Sequence, residues 1–455
     1  MTRKLWETDA ARQEMTVRRE RVLLVGVLLD DALQTDEPLV ELEELARSAG
    51  ALVIDRVVQR RKAFVAGTCV GSGKLEEIRQ RADVNEIDAI LFDNDLSPSQ
   101  IREIEKATRR KVIDRSELIL DIFATRARTA EARLQVELAQ LEYTAPRLRG
   151  MWTHLERIAG AAGGTGVGAV GGIGTRGPGE RQIEIDRRIV AKRVAALKEK
   201  IAEVDRRRQR EVGARREHFT VSLVGYTNAG KSTLMNALTG AGARTEDLLF
   251  ATLDTLTRKW SLGGGRHALL SDTVGFIRDL PHRLIASFRA TLEEAIHADL
   301  LMHVVDAANR DAARQIAVVQ QVLTELGAGD TPTLLVFNKV DAVRDEAELV
   351  LLRRDHPGAI EISARTGAGL EMLRDAVDER VQGEQQRMVL SIPARDGKAL
   401  NFLERFATIL SAEYADGRAV VELRISPRVL EHLHSLAPDV RHIEPAPDEG
   451  WLSPR

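Results

Sequence analysis

Gly225-Tyr226-Thr227-Asn228-Ala229-Gly230-Lys231-Ser232 has the spacing G-x-x-x-x-G-K-S. The strand-forming run TVSLV precedes it and the helix-forming run STLMNAL follows, the context this spacing needs to wrap a phosphate chain. Loop amides and the positive helix end would bind the phosphates, and Lys231 would reach their β and γ oxygens. The Ser232 hydroxyl is the expected first ligand to Mg2+.

A phosphate loop alone does not select a base. Asn338-Lys339-Val340-Asp341 follows the apolar run TLLVF, and the Asp341 carboxylate can accept hydrogen bonds from guanine N1 and N2, a donor pair that adenine lacks. Lys339 would lie along the base and Asn338 would brace the loop. Ser363-Ala364-Arg365, after the run AIEI, would offer backbone amides to guanine O6. Asp272-Thr273-Val274-Gly275 ends another strand candidate, with Asp272 placed to hold a Mg2+ water and the Gly275 amide placed to sense the γ-phosphate. Between these motifs, Phe250-Ala251-Thr252-Leu253-Asp254 carries Thr252, the expected second hydroxyl on Mg2+, with Thr255 and Thr257 as competitors. The five motifs occur in the order of a GTP-binding domain, with Lys231, Thr252 and Gly275 as the groups at the reacting phosphate.

Phe276 follows Gly275, where Ras-like enzymes carry a glutamine that orients the attacking water. A phenyl ring cannot do so by hydrogen bonding. Slow intrinsic hydrolysis is expected, with a partner supplying the missing group or another side chain substituting in cis. Two other patterns are weaker. Gly71-Ser72-Gly73-Lys74 ends like a phosphate loop, but Leu75 replaces the hydroxyl residue and no glycine stands five residues before Gly73, so it reads as a turn entering a helix. His432 and His434, two apart on a helix candidate, do not share a face and are not expected to hold a metal.

These motifs need elements to position them. The 455 residues allow about three domains of roughly 150 residues each. With 44% hydrophobic and 30% charged residues, the balance is that of a soluble globular chain. One cysteine, Cys69, excludes an internal disulfide framework and fits a reducing cytosol. The N-terminus holds no apolar signal core and no window is long and apolar enough to span a membrane, so a cytoplasmic place is expected. The net charge of -3 hides a basic stretch from 102 to 217, which includes RRKVIDR, PRLRG and DRRRQR and suggests a polyanionic partner.

Strand and helix candidates alternate over about 20–115. A long helix is expected from Asp121 to Leu141, with Leu134, Leu138 and Leu141 on one face and Pro146 as its end. A second begins near Arg181 and carries Val190, Val194, Leu197, Ile201 and Val204 at heptad spacing. Paired antiparallel, they would form a hairpin with the run GGTGVGAVGGIGTRGPGE at its tip. Its absent side chains would permit close approach to RNA, with Arg176 and Arg181 as the charges. A hinge is expected at Gly213 to Glu217. The run KALNFLERFATILSA is expected as one helix within a β-α-β-α C-terminal region. The fold class is therefore multidomain α/β: a flexible segment 1–19, an α/β subdomain 20–120, the hairpin 121–216 with its tip at 160–180, a mostly parallel nucleotide domain 217–385, and a small α+β domain 386–455.

With GSGK at 71–74, RARTAEARLQVELAQLEY at 126–143, GGIGTRGPGE at 171–180, GYTNAGKS, FATLD, DTVGF and NKVD, the chain resembles the HflX family of translation-associated GTPases over nearly its whole length. Arg181 and Ile183 to Ile185 depart from the family's usual ETQLETD wording. The resemblance implies a monomeric, Mg2+-dependent GTPase that cycles between GTP and GDP and binds rRNA of the large ribosomal subunit, its glycine tip directed at the peptidyl transferase centre. Splitting or rescue of stalled ribosomes would follow, with hydrolysis stimulated by the ribosome. The family's N-terminal region has been linked to ATP, for which GSGK offers little support. The competing readings are a ribosome-assembly GTPase, which the same basic charge would serve, and a GTP-dependent scaffold acting on a protein or, peripherally, a membrane.

Overall fold

The computed structural model describes residues 20–29, 38–145, 182–213, 218–240, 249–250, 255–263, 266–278, 296–383 and 385–443. They fall into two compact units. One comprises the described residues up to Ile201 together with Leu249 and Phe250, and the other comprises the rest.

The first unit runs β1 (Arg21–Leu29), α1 (Val40–Ser48), β2 (Leu52–Arg61), α2 (Ser72–Val84), β3 (Ala89–Phe92), α3 (Pro98–Thr108), β4 (Lys111–Asp114), α4 (Arg115–Arg126), α5 (Ala130–Thr144) and, as far as Ile201, α6 (Gln182–Gly213). Its sheet has the order β2-β1-β3-β4 with every pair parallel. RVLLVGVLL and AILF are apolar without alternation because such strands are covered on both faces. Leu23, Ile78, Ile90, Phe92 and Ile104 are fully buried between sheet and helices. Of Gly71-Ser72-Gly73-Lys74, expected as a turn entering a helix, Gly71 is the N-cap and Ser72 to Lys74 already form the first turn of α2. Ser97 caps α3 in a reciprocal box with Gln100, with Pro98 in the first turn. Cys69 is buried at φ 62, and burial pushes its thiol up to about 11, so it is unreactive.

The single long helix expected from Asp121 to Leu141 is two helices. Ala127 turns extended at φ -64, ψ 106, and the Thr129 hydroxyl then accepts from the Ala132 amide at 3.1 Å to cap α5. A local capping signal has overridden a continuous apolar pattern. On α6, Val190 and Leu197 of the heptad seam are buried and Val194, Ile201 and Val204 partly so, while Lys192, Arg193, Lys198 and Lys200 stay exposed. Arg193 bonds Glu137 at 2.7 and 3.0 Å and Lys198 pairs with Glu142 at 2.8 Å, tying α6 to α5. The glycine tip, Pro146 and the hinge after Gly213 lie outside the described residues.

The second unit continues with β5 (Phe219–Val224), α7 (Lys231–Thr239), β6 (Leu256–Gly263), β7 (Arg266–Asp272), β8 (Leu300–Asp306), α8 (Ala312–Glu325), β9 (Thr333–Asn338), a 3-10 turn (Val340–Ala342), α9 (Glu346–Asp355), β10 (Ile360–Glu361) and α10 (Leu370–Gly383). The sheet order is β10-β9-β8-β5-β7-β6, parallel except for the edge strand β6. Strand β6 carries Trp260, fully buried with Leu234, Leu270 and Met302.

The unit ends with β11 (Gln386–Pro393), α11 (Gly397–Phe406), β12 (Thr408–Ala415), β13 (Arg418–Ile425), α12 (Pro427–Leu436) and β14 (Arg441–Ile443). The run KALNFLERFATILSA is not one helix. Ala407 is extended at φ -122, ψ 160, and TILSAEYA pairs with β13 as a hairpin strand. The result is β-α-β-β-α-β with the antiparallel order β12-β13-β11-β14, a ferredoxin-like arrangement. His432 lies on α12 with its ring 5.2 Å from that of Phe402. No group of three or more His, Cys, Asp or Glu able to hold a metal occurs among the described residues. Among those residues, no helix is long and apolar enough to cross a membrane.

Candidate functional site

In the sheet of the second unit, β5 passes to β7 on one side and β8 on the other, so the loop at its carboxyl end opens at the point where strand order reverses, the usual place for a ligand in such sheets. Gly225 leaves β5 at φ +146, and a Cβ there would stand 2.2 Å from the Val304 carbonyl oxygen. Gly230 turns at φ +92, where a Cβ would meet Asn338 Nδ2 at 2.3 Å. Both positions accept only glycine, because the clash and the left-handed backbone coincide. Asn228 is also left-handed, at φ 59, and α7 begins at Lys231.

Lys231 is buried and folds back on the loop, donating to the Gly225 and Tyr226 carbonyls at 3.0 and 2.8 Å. Burial pushes its ammonium down to about 8, with Asp272 pulling the other way. The Ser232 hydroxyl donates to Asp272 Oδ2 at 2.6 Å. A hydroxyl and a carboxylate in contact at the end of β7 are the hard oxygen donors that Mg2+ takes.

The DTVG segment is tied to the same loop. Thr273 donates to the Leu223 carbonyl at 2.6 Å, and a Cβ on Gly275 would meet Thr227 Cα at 2.8 Å and Lys231 Nζ at 3.0 Å. Thr227 N donates to Phe276 O at 2.7 Å and Phe276 N to Gly225 O at 3.1 Å, a one-residue parallel bridge between the segments. The Phe276 side chain is buried, so it holds this segment down by packing and offers water nothing. Tyr226 Oη accepts from the Arg278 amide at 2.7 Å, a second tie that no motif announces.

On the other side, Asn338 donates to Ala229 O at 2.9 Å and accepts from Ala364 N at 3.0 Å, joining the 225–232 and 363–365 loops. Lys339, left-handed at φ 62, donates to Asn228 O at 2.8 Å and pairs with Asp306 at 2.7 Å. Asp306 escaped the sequence reading although it ends LLMHVVD in register with Asn338. Val340 N donates to Ile362 O at 3.3 Å. Asp341 takes hydrogen bonds from the Ser363 hydroxyl and the Arg365 guanidinium, which hold its carboxyl below the usual range.

The structure therefore brings together Gly225 to Ser232, Asp272 to Gly275, Asn338 to Asp341 and Ser363 to Arg365. Ala251, Thr252, Leu253 and Asp254 lie outside the described residues. The neighbouring Phe250 belongs with the first unit: its ring packs edge-on against Phe123 at 4.6 Å, and the Leu249 amide donates to Ser48 Oγ at 3.0 Å. Its ring is thus committed to that unit. Thr257 lies in β6 with its hydroxyl 3.0 Å from that of Ser271.

His303, on β8 beside Val224, was also missed by the sequence reading. It is buried, and Nδ1 has no hydrogen-bond partner among the described residues. Burial, then the Lys231 ammonium, then His356, push its pKa from 6.5 down to about 3. Below the ordinary value the unfolded chain binds a proton that the folded chain refuses, so stability falls as the pH drops from 6.5 toward 3. At about 1.4 kcal/mol per pH unit, a loss of about 2 kcal/mol is expected by about pH 5. Urea unfolding at neutral pH and at about pH 5 measures it, and His303→Leu should flatten the dependence.

The chain matches three family models: "GTP-binding GTPase N-terminal" over residues 36–124, "GTP-binding GTPase Middle Region" over 126–215 and "50S ribosome-binding GTPase" over 220–339. It is 40% identical over 434 residues to a GTPase HflX of Caldanaerobacter subterraneus subsp. tengcongensis, covering 95% of this chain and 97% of that one. It is 44% identical over 365 residues to the GTPase HflX of Escherichia coli K12, covering 80% and 83%. Among solved structures, a GTP-binding protein from Sulfolobus solfataricus in complex with GDP matches at 22% identity and TM-score 0.41, over 79% of this chain and 98% of that one. With relatives of this identity matching across nearly their whole length, and with the phosphate loop, the NKVD loop and the DTVG segment assembled at one sheet edge, the chain belongs to the HflX family of GTPases and hydrolyses GTP.

Proposed function

We propose that this GTPase binds the large ribosomal subunit in its GTP state and splits or rescues stalled ribosomes in the cytoplasm, working as a monomer. At the site, Gly225 to Ser232 wrap the phosphates, and Lys231 exchanges its loop carbonyls for β and γ oxygens. Ser232, with Asp272 behind a water and Thr252 from the following segment, holds Mg2+. When bound, that ion neutralises charge on the phosphate oxygens. The Gly275 amide reports the γ-phosphate to the segment ending in Phe276. Asp341 selects guanine, Lys339 lies along the base, and the 363–365 amides meet O6.

The observation that carries the ribosome reading is α6: 32 residues long, with Arg188, Lys192, Lys198, Lys200 and Arg206 exposed on it, a cationic arm suited to a phosphate backbone. The buried Phe276 ring, where an orienting glutamine would stand, fits a GTPase that waits for its partner. Groups supplied in trans raise hydrolysis about 10^3-fold or more in other P-loop GTPases, and purified large subunits should raise it here at least about tenfold. No stimulation would overturn this reading. In gradients with a non-hydrolysable GTP analogue, whole ribosomes should convert to subunits. Selective binding to immature particles would instead mark an assembly factor, and failure to co-sediment a scaffold.

A further inference from the structure

Beyond β7 the chain runs from Gly275 to Arg278 alongside the start of the phosphate loop. The backbone bridge between Tyr226 and Phe276 sets the two parallel, with Thr227 N donating to Phe276 O at 2.7 Å and Phe276 N to Gly225 O at 3.1 Å. Two residues on, the Tyr226 hydroxyl accepts from the Arg278 amide at 2.7 Å. The bridge fixes one point of the segment and the phenol a second, so its register on the loop is set. We propose that Tyr226 is a positioning residue for GTP hydrolysis: its hydroxyl holds the segment that carries the Gly275 amide against the phosphate loop, and so sets how strongly the site favours GTP over GDP and how fast GTP is cleaved. The inference rests on the reading of Gly275 as the amide that meets the γ-phosphate.

The surroundings give this tie its leverage. A Cβ on Gly275 would stand 2.8 Å from Thr227 Cα and 3.0 Å from Lys231 Nζ, so the backbone here lies directly against the loop and beside the ammonium read above as a phosphate ligand. The Phe276 side chain offers no polar atom, so what the segment gives the reaction is its backbone, and a backbone donor acts only as well as it is placed. Phe276 and Ile277 are both buried, so the segment is packed as well as bonded. Loss of one hydroxyl should therefore loosen it without expelling it. The phenol carries its oxygen at the far end of a rigid apolar ring, which spans a fixed distance with little conformational freedom to lose. Since the γ-phosphate is what GDP lacks, a residue acting through Gly275 must show its effect with GTP alone.

The test compares Tyr226→Phe with the wild type, as full chains, by the Kd of a fluorescent GDP, the Kd of a fluorescent non-hydrolysable GTP analogue and single-turnover hydrolysis of GTP. One neutral hydrogen bond corresponds to about two- to tenfold in an equilibrium or rate constant. Tyr226→Phe should leave GDP binding unchanged, weaken the GTP analogue about two- to tenfold and slow hydrolysis by a similar factor. Gly275→Ala, whose methyl must push the segment off the loop, should impair both GTP readings more strongly, and adding Tyr226→Phe to it should change neither further. Equal weakening of GDP and the GTP analogue by Tyr226→Phe would mark a merely structural residue, and no change in either GTP reading would mark an idle hydroxyl. Both overturn the proposal while leaving Gly275 as the sensor. Full additivity in the double variant overturns it too, since the effect would then not pass through Gly275. A Gly275→Ala protein with normal GTP preference and normal hydrolysis removes the sensor reading, and the role of Tyr226 with it.

Discussion

Lys231→Ala should weaken GTP binding by at least about thirtyfold without unfolding the protein. The ammonium is buried, bonded to two carbonyls of its own loop, and pushed down to about 8. A buried cation of this kind gains from an anion brought within reach. Truncating one partner of a buried, hydrogen-bonded charge pair costs about 2–5 kcal/mol, a loss in affinity of roughly thirtyfold to several thousandfold. The same truncation removes a buried charge but leaves the Gly225 and Tyr226 carbonyls without their donor, so the unfolding midpoint measured without nucleotide should change little. Calorimetric titration with GTP, beside a thermal melt without nucleotide, separates the two. A variant that keeps nanomolar GTP affinity would refute the phosphate-loop assignment.

Asp341→Asn should move preference from GTP to XTP. The carboxylate accepts from both N1 and the 2-amino group of guanine. The amide can accept from one only, and sets its own NH2 against the other. One hydrogen bond to a charged group is lost, at about 1.5–3 kcal/mol, and a donor is left facing a donor, at about 1–3 kcal/mol, which together predict a loss of GTP affinity of roughly a hundredfold to ten-thousandfold. Xanthine carries a carbonyl where guanine carries the amine, so the new NH2 finds an acceptor. The substitution is nearly isosteric at a partly exposed position, and the Asn338 and Lys339 ties that hold the loop do not involve it. Competition between labelled GTP and XTP reads the switch directly, and unchanged GTP selectivity would count against Asp341 as the base acceptor.

Strands within long apolar runs were legible because burial on both faces leaves a local mark: RVLLVGVLL, AILF and LLMHVVD needed no knowledge of their neighbours. Strands β4, β6, β12 and β14 were not marked in this way. Strand β12 reads as the tail of an amphipathic helix, since most of its side chains are exposed and only pairing with β13 makes it a strand. The break between α4 and α5 was missed for the opposite reason, because one threonine hydroxyl at Thr129 outweighed a continuous apolar spacing.

The sequence by itself marked out the segments of the candidate site at the carboxyl ends of the second unit's strands. Phosphate loops and base-reading loops are contiguous: four to eight residues carry both the backbone geometry and the reacting groups, so Gly225 to Ser232 and Asn338 to Asp341 announce themselves. Only the tertiary structure decided which contacts those groups make between segments. The backbone bridge of Tyr226 to Phe276, Lys231 on its own carbonyls, unprotonated His303 beneath the loop and Arg365 on Asp341 are all contacts between separate segments. Buried polar and charged groups must be partnered or lose their charge, and which partner lies within reach is set by the packing of the sheet, not by the spacing of a motif.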